Sequence, residues 1–339
     1  MKKLLILLIS ILSLSCASNN NVVNQPSDSL IITGEIATTF ANTITTADLK
    51  KHLYIIASDD FEGRETGEPG QKKAAEYLKN FYIEHSIASP YGGSDYFQSI
   101  PTEHLRPGLK PSENVIAFIE GNEKPHEIIV VSAHYDHLGM RNGKIYNGAD
   151  DDGSGTVAIL EIAEAFQNAV EKGKGPKRSI LFLHVTGEEK GLLGSKYYTT
   201  FPVFPLEKTV ANLNIDMIGR VDAAHTNNPN FVYLIGSDKL SSELHKLSEE
   251  INSRFTKLEL DYSFNSDDDP NRYYYRSDHY HFAKNNIPII FYFNGTHADY
   301  HRSSDTPDKI NYEILAKRTQ LIFYTAWEIA NRAERIVVD

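Results

Sequence analysis

The stretch Asn147–Gly155 reads NGADDDGSG, three consecutive aspartates bracketed by glycines. Carboxylates this close repel one another and raise each other's pKa unless positive charge lies among them. A divalent cation meets that need, although Asp, Gly and Ser are also common turn and helix-capping residues. The rest of the chain favours the cation, because it sets histidines and acids repeatedly at the ends of apolar runs. His134 and Asp136 follow EIIVVSA, Glu188 and Glu189 follow SILFLHVTG, Asp216 follows VANLNI, and His301 lies in the late loop NGTHADYHRSSDTPDKI. Imidazole and carboxylate suit zinc, and a catalytic zinc keeps one coordination position open. A pair of ions needs a carboxylate to bridge them and donors on either side. Glu188 and Glu189 leave a strand in opposite directions, so one can bind metal while the other stays free as a base. His134 and Asp136 share a face at period two, which predicts that Asp136 orients His134 or shares its metal-side environment.

These residues need a rigid scaffold, and the hydropathy pattern supplies one. Strand-like runs such as NVIAFIEG, EIIVVSAH, SILFLHV, VANLNI, FVYLIG and IPIIFYF alternate with stretches of three-four apolar spacing, among them SGTVAILEIAEAFQNAV. That alternation predicts an α/β three-layer sandwich, a mixed and mostly parallel sheet covered by helices on both faces. Ligand crevices in such sheets lie beyond the carboxyl ends of the strands, where His134, Glu188, Glu189 and Asp216 fall. Two helices are expected earlier, in TADLKKHLYIIAS and GQKKAAEYLKNFYIEH, with DDFEGRETGEPG between them as a turn-rich surface loop near the site's rim. Asp150 and Asp152 are expected to hold the loop and cap the next helix. His137, His279, His281 and His297 read as loop or core polar groups, and Tyr273–Tyr275 as a packed aromatic loop, with the wall of a substrate pocket as its other reading.

The start of the chain, MKKLLILLISILSLSC, has a basic end, an apolar core and small residues before the only cysteine, Cys16. It reads as a signal peptide over residues 1–15, with Cys16 in the position of a bacterial lipobox cysteine, although Ser13 stands where that pattern prefers Leu, Val or Ile. A lipid there would anchor an exported protein to a membrane. Residues 16–44 read as a flexible tether and 45–339 as the catalytic domain. A lone cysteine permits no intrachain disulfide. The formal charge of −11 disfavours nucleic acid as a partner.

Taken together, HYDHLG, GADDDGSG, TGEEKGLLGS, NIDMIG and DYHRSSDT resemble the M28 family of zinc metallopeptidases, from about Asp48 to the C-terminus. The resemblance implies a zinc-exopeptidase-like fold, two Zn2+ ions and peptide substrates cut at the N-terminus. By the same resemblance His134, Asp216, Glu189 and His301 are metal ligands, Asp151 bridges the ions and Glu188 is the general base. Tyr300 matches a tyrosine that hydrogen-bonds the developing oxyanion. Asp278 is expected either to support the site or to approach a substrate amine, and Asp305 to orient His301 from four residues on. Two other functions are open to such a chain: a one-zinc glutaminyl cyclase of the same fold, or a non-catalytic binding ectodomain. The whole GADDDGSG motif, and Tyr300 where the cyclases place Trp, favour the peptidase.

Overall fold

The computed structural model describes residues 28–339, so the expected signal peptide, Cys16 and the first part of the tether lie outside the described residues. In chain order the elements are α1 Asp28–Ala41, α2 Thr46–Ile56, α3 Pro69–Glu84, β1 Phe97–Ile100, β2 Ser112–Ile119, β3 Lys124–His134, β4 Gly139–Arg141, β5 Lys144–Tyr146 and α4 Gly155–Glu171. They continue with β6 Arg178–Val185, α5 Leu193–Thr200, β7 Thr209–Ile215, β8 Phe231–Ile235, α6 Ser242–Ile251, β9 Glu259–Asp261, α7 His279–Ala283, β10 Ile289–Phe293 and α8 Tyr312–Asn331.

Eight strands form one sheet in the order β1-β2-β6-β3-β7-β10-β8-β9. The four central strands, β6, β3, β7 and β10, run parallel to their neighbours in that set. β2 joins β6 antiparallel and β8 joins β10 antiparallel, which makes the sheet mixed. Alternation along each strand feeds two layers. Ile129, Val131, Ile180 and Phe182 pack in the core formed with α4 and α8. Ile128, Val130, Leu181 and Leu183 pack on the other face with Tyr198 of α5 and Phe282 of α7. Every residue of β6 and β7 is buried, as expected for strands covered on both sides. Parallel central strands bring their carboxyl ends to one edge, and the chemistry-bearing residues lie there.

The tether expected over 16–44 differs from the structure within the described part. Residues 28–41 are helical, and Ala37, Phe40 and Ala41 are buried in the main core, with the Phe40 ring 5.8 Å from that of Trp327 in α8. Removing these apolar side chains from water outweighs the polar composition of the preceding residues. Thr45 then caps α2 by accepting from the Asp48 N–H at 3.1 Å.

Candidate metal centre

Each central strand delivers part of the site. β3 ends on His134, the turn after β6 carries Glu188 and Glu189, Asp216 follows β7, and the loop after β10 carries Tyr300 and His301. The aspartate loop lies between β5 and α4. Asp151 turns one oxygen each way: Oδ1 lies 3.2 Å from His134 Nε2, and Oδ2 lies 3.1 Å from His301 Nε2. On the first side, Asp216 Oδ1 is 3.6 Å from His134 Nε2. On the second, Glu189 Oε2 is 3.4 Å from His301 Nε2. His134, Asp151 and Asp216 form one compact set of donors, and His137, Asp151 and Glu189 a second. Glu188 belongs to neither set and lines the adjoining cavity with Asp151, Asp216, Tyr300 and His301.

The donor atoms fit a cation. His134 Nε2, His137 Nδ1, Asp151 Oδ2 and Glu189 Oε1 are buried with no hydrogen-bond partner among the described residues, although these groups crowd one another. Buried polar atoms are seldom left unmatched, because each costs about 1–3 kcal/mol. Their titration tells the same story. Burial pushes the Asp151 carboxyl up, but His137, His134 and His301 together hold it well below the usual range. Burial and Asp151 push Glu189 up, yet His137 and His301 bring it down to about 2. Burial lowers His301, but Asp151 and Glu189 outweigh it and raise the imidazole to about 10. Burial likewise works against charge on His134, and Asp216, Glu188 and Asp151 carry it well above its usual value. Protons on imidazoles here balance the carboxylates, and metal binding to such ligands releases protons.

The supports are specific. Asn212 Nδ2 donates to Ser132 Oγ, Ser132 to Asn214 Oδ1, Asn214 Nδ2 to Ser277 Oγ, and Ser277 to Asp216 Oδ2 at 2.7 Å. This buried chain leaves Asp216 Oδ1 turned toward His134. Asp150 Oδ1 accepts from the Gly219 N–H at 2.7 Å, and Asp152 Oδ1 accepts from the Gly155 and Met217 N–H groups. The outer aspartates therefore hold the loop and the start of α4, as expected.

The sequence profile of peptidase family M28 matches residues 114–326, a span that contains every donor named above. The chain belongs to peptidase family M28. Leupeptin-inactivating enzyme 1 of Streptomyces exfoliatus is 26% identical over 318 residues, 84% of this chain and 62% of that one. The chain thus spans less than two thirds of that relative, and only 15% of a mouse aminopeptidase, NAALADL1, that it matches at 35% identity over 116 residues. Among solved structures, the Legionella pneumophila LapA aminopeptidase shares the fold with a TM-score of 0.70 at 22% identity, over 89% of this chain and 76% of that one. A Porphyromonas gingivalis glutaminyl cyclase shares it with a TM-score of 0.63 at 18% identity, over 83% of this chain and 98% of that one.

Within this M28 chain several supporting residues act differently from expectation. His134 Nδ1 is paired with the main-chain carbonyl of Asp136 at 3.0 Å, whereas the Asp136 carboxylate is 3.9 Å away. That carboxylate accepts instead from Thr66 Oγ1 at 2.7 Å and from the Glu188 N–H at 3.1 Å, so it positions the glutamate turn. Asp305 does not orient His301. Its Oδ2 accepts from the main-chain N–H groups of Asp150 and Asp151, and its Oδ1 lies 3.9 Å from Arg220 Nη1, so the carboxylate is committed to the aspartate loop. Asp278 is wholly buried, and burial lifts its carboxyl to about 7 with His134 opposing. Tyr300 stacks on His301 with ring centroids 3.9 Å apart, and its hydroxyl accepts from Arg276 at 3.5 Å.

Two participants went unrecognised in the sequence. His137 is wholly buried, with Nδ1 2.8 Å from Glu189 Oε1. Its signal was the second histidine of HYDH. Arg64, in the segment expected to be a surface loop, is fully buried and donates to the carbonyls of Ile56, Tyr135, Asn147 and Gly148. It ties the end of α2 to the strand and loop that carry the donors. Tyr273, expected to be packed, is buried and also walls the site's cavity with Met217, Phe291 and Phe293.

Proposed function

We propose that the chain is a zinc-dependent aminopeptidase that removes N-terminal residues from peptides, with two zinc ions flanking Asp151. The observation that carries this reading is the split of the Asp151 oxygens between two donor sets, with Glu188 beside both and part of neither. His134, Asp151 and Asp216 would hold one ion; Asp151, Glu189 and His301 would hold the other. Zinc supplies a lowered pKa for water and polarisation of the scissile carbonyl.

Glu188 takes the proton from the attacking water and returns it to the leaving amine. Burial raises its carboxyl well above the usual range against the pull of His134, with Asp216, Asp278 and Glu189 adding to the rise, which suits a group that must hold a proton in transit. Asp136 fixes the Glu188 main chain for that task. Burial also raises the Tyr300 hydroxyl, so it stays a donor, and it faces the cavity where the oxyanion develops. Met217, Tyr273, Phe291 and Phe293 make an apolar wall that favours an apolar N-terminal side chain.

Zinc-loaded protein, assayed with aminoacyl fluorogenic substrates and a peptide bearing N-terminal glutamine, tests this reading. Free N-terminal residues should appear, cease on chelation and return with zinc. A cyclised product of unchanged residue count, with nothing released, would assign the chain to the cyclases.

We also propose that the protein is exported and held at a membrane surface by lipid on Cys16. No helix among the described residues is long and apolar enough to cross a membrane. A labelled fatty acid should enter the wild-type protein and be absent from Cys16→Ser; unlabelled wild type would reduce the segment to an ordinary signal peptide.

A further inference from the structure

β2 runs antiparallel to β6, so the loop that leads into β2, residues 101–111, stands at the same sheet edge as the carboxyl end of β6 and the glutamate turn. Leu105 of that loop is buried with Ile100 and Leu193, which packs the loop against the start of α5. Asn114 completes the tie: its Nδ2 donates to the Gly194 carbonyl at 3.0 Å, and its Oδ1 accepts from the Thr186 N–H at 3.1 Å. Between loop and helix lies a cleft of about 500 Å3, the size of a small-ligand site.

The cleft is lined by aromatic rings and by two free cations. The His104 ring meets those of Tyr197 and Phe201 edge-on, each at 5.1 Å between centroids, and Phe201 is 47% exposed. Arg106 lies across Gly191, where a Cβ would collide with its Nη2, and Lys196 stands exposed on α5. Other basic side chains at this edge are paired, Lys190 with Glu65 and Lys110 with Glu68. Among the described residues Arg106 and Lys196 have no such partner, and Glu103, the one carboxylate lining the cleft, bonds to neither. In a chain of formal charge −11 this is a local positive surface that matches a carboxylate.

Glu188 connects the cleft to the reaction. Its main-chain carbonyl accepts from the Gly191 N–H at 2.8 Å, closing a turn whose ends lie within about 7 Å of each other. The amine that leaves through Glu188 is the new N-terminus of the shortened peptide, so the rest of the peptide starts there. At about 3.4 Å per residue, its second or third residue comes level with Gly191. The cavity beside the metal donors, about 30 Å3, has no room for that chain. We propose that the cleft holds the peptide downstream of the cut bond, where Arg106 and Lys196 select a carboxylate, from an acidic side chain or from the C-terminus of a short peptide. The inference rests on the aminopeptidase reading above and adds to it a preference for negative charge behind the released residue.

Pentapeptide amides that share an apolar N-terminal residue and carry Glu, Ala or Lys at their third and fourth residues, cut by zinc-loaded protein, test the proposal. Wild type should show a KM about fivefold lower for Glu than for Lys, the scale of two solvent-exposed ion pairs, with kcat nearly constant. Salt at about 1 M should level the series. The double variant Arg106→Glu, Lys196→Glu should reverse the order and favour Lys, an outcome that loss of folding cannot produce. An apolar tripeptide, compared as free acid and as amide, separates the two sources of the carboxylate: a lower KM for the free acid assigns the C-terminus, and an advantage confined to the Glu pentapeptide assigns the side chain. Equal KM across the pentapeptides with no free-acid advantage, or a Glu preference that survives the double variant, would overturn the proposal. Release of no N-terminal residue from any of these peptides would sink the aminopeptidase reading, and the proposal with it.

Discussion

At the ends of the central strands, three histidines and three carboxylates crowd around Asp151. Where α2, α3 and α4 meet, a second buried polar cluster joins His52, Tyr77 and Glu161, with His52 Nδ1 2.5 Å from the Tyr77 hydroxyl and Nε2 3.7 Å from Glu161 Oε1. Burial acts on both and is resolved in opposite ways. In the helical cluster it wins: burial, with Lys51 adding, lowers His52 to about 4, and burial with Glu164 and Asp48 lifts Glu161 to about 8. Both groups are neutral near pH 7. At the strand ends opposite charges lie in contact and win, holding Asp151 and Glu189 ionised and His301 protonated. Burial alone discharges a cluster. Only a cluster of matched donors stays charged, and that is the one able to exchange its protons for a cation.

The largest expected effect is in turnover. Glu188→Gln should lower it at least about a hundredfold while zinc content stays near wild type. Glu189→Gln should lose zinc as well as rate; the reverse pattern would exchange the two roles. Next is stability: saturating zinc should protect the folded state by about 3 kcal/mol at a hundredfold excess over Kd, as read by denaturant unfolding, and Asp151→Asn should abolish that gain. The His52, Tyr77 and Glu161 cluster should show no response to zinc.

The helical cluster responds to pH instead. Glu161 is protonated in the folded state up to about 8 but ionises from about 4.5 when unfolded, so its contribution is present at low pH and lost as pH rises through that window. His52, lowered from 6.5 to about 4, contributes with the opposite sign between those values. The two offset one another up to about 6.5. Between pH 6.5 and 8 the wild type should then lose about 2 kcal/mol more than Glu161→Gln. Parallel stability curves would show that burial does not discharge this cluster. The smallest effect is expected for Ser277→Ala, which frees Asp216 and should weaken zinc binding about tenfold, with unchanged cooperativity of unfolding.

The donors from strands were legible because their position follows from local pattern: an apolar run ends, and His134, Glu188, Glu189 or Asp216 comes next. The sheet followed from the same runs. Arg64 was illegible because its partners are four main-chain carbonyls from distant segments, and a carbonyl leaves no trace in residue identity. The roles of Asp136 and Asp305 were misread for a related reason, since the groups they accept from, Thr66 and the main-chain N–H groups of Glu188, Asp150 and Asp151, are brought near only by the fold. His137 had a visible signal but sat one residue beyond the period-two face shared by His134 and Asp136. The turn after β3 brings it back. In α1, the apolar residues were present, yet their burial depends on α8, nearly the whole chain away.

Anomalous X-ray scattering at the zinc edge, from crystals of zinc-loaded protein, tests the central claim most directly. Two peaks about 3.5–4 Å apart are expected, one against each oxygen of Asp151, with Glu188 bound to neither. A single peak, or a pair that leaves Asp151 out of contact, would contradict the two-ion centre.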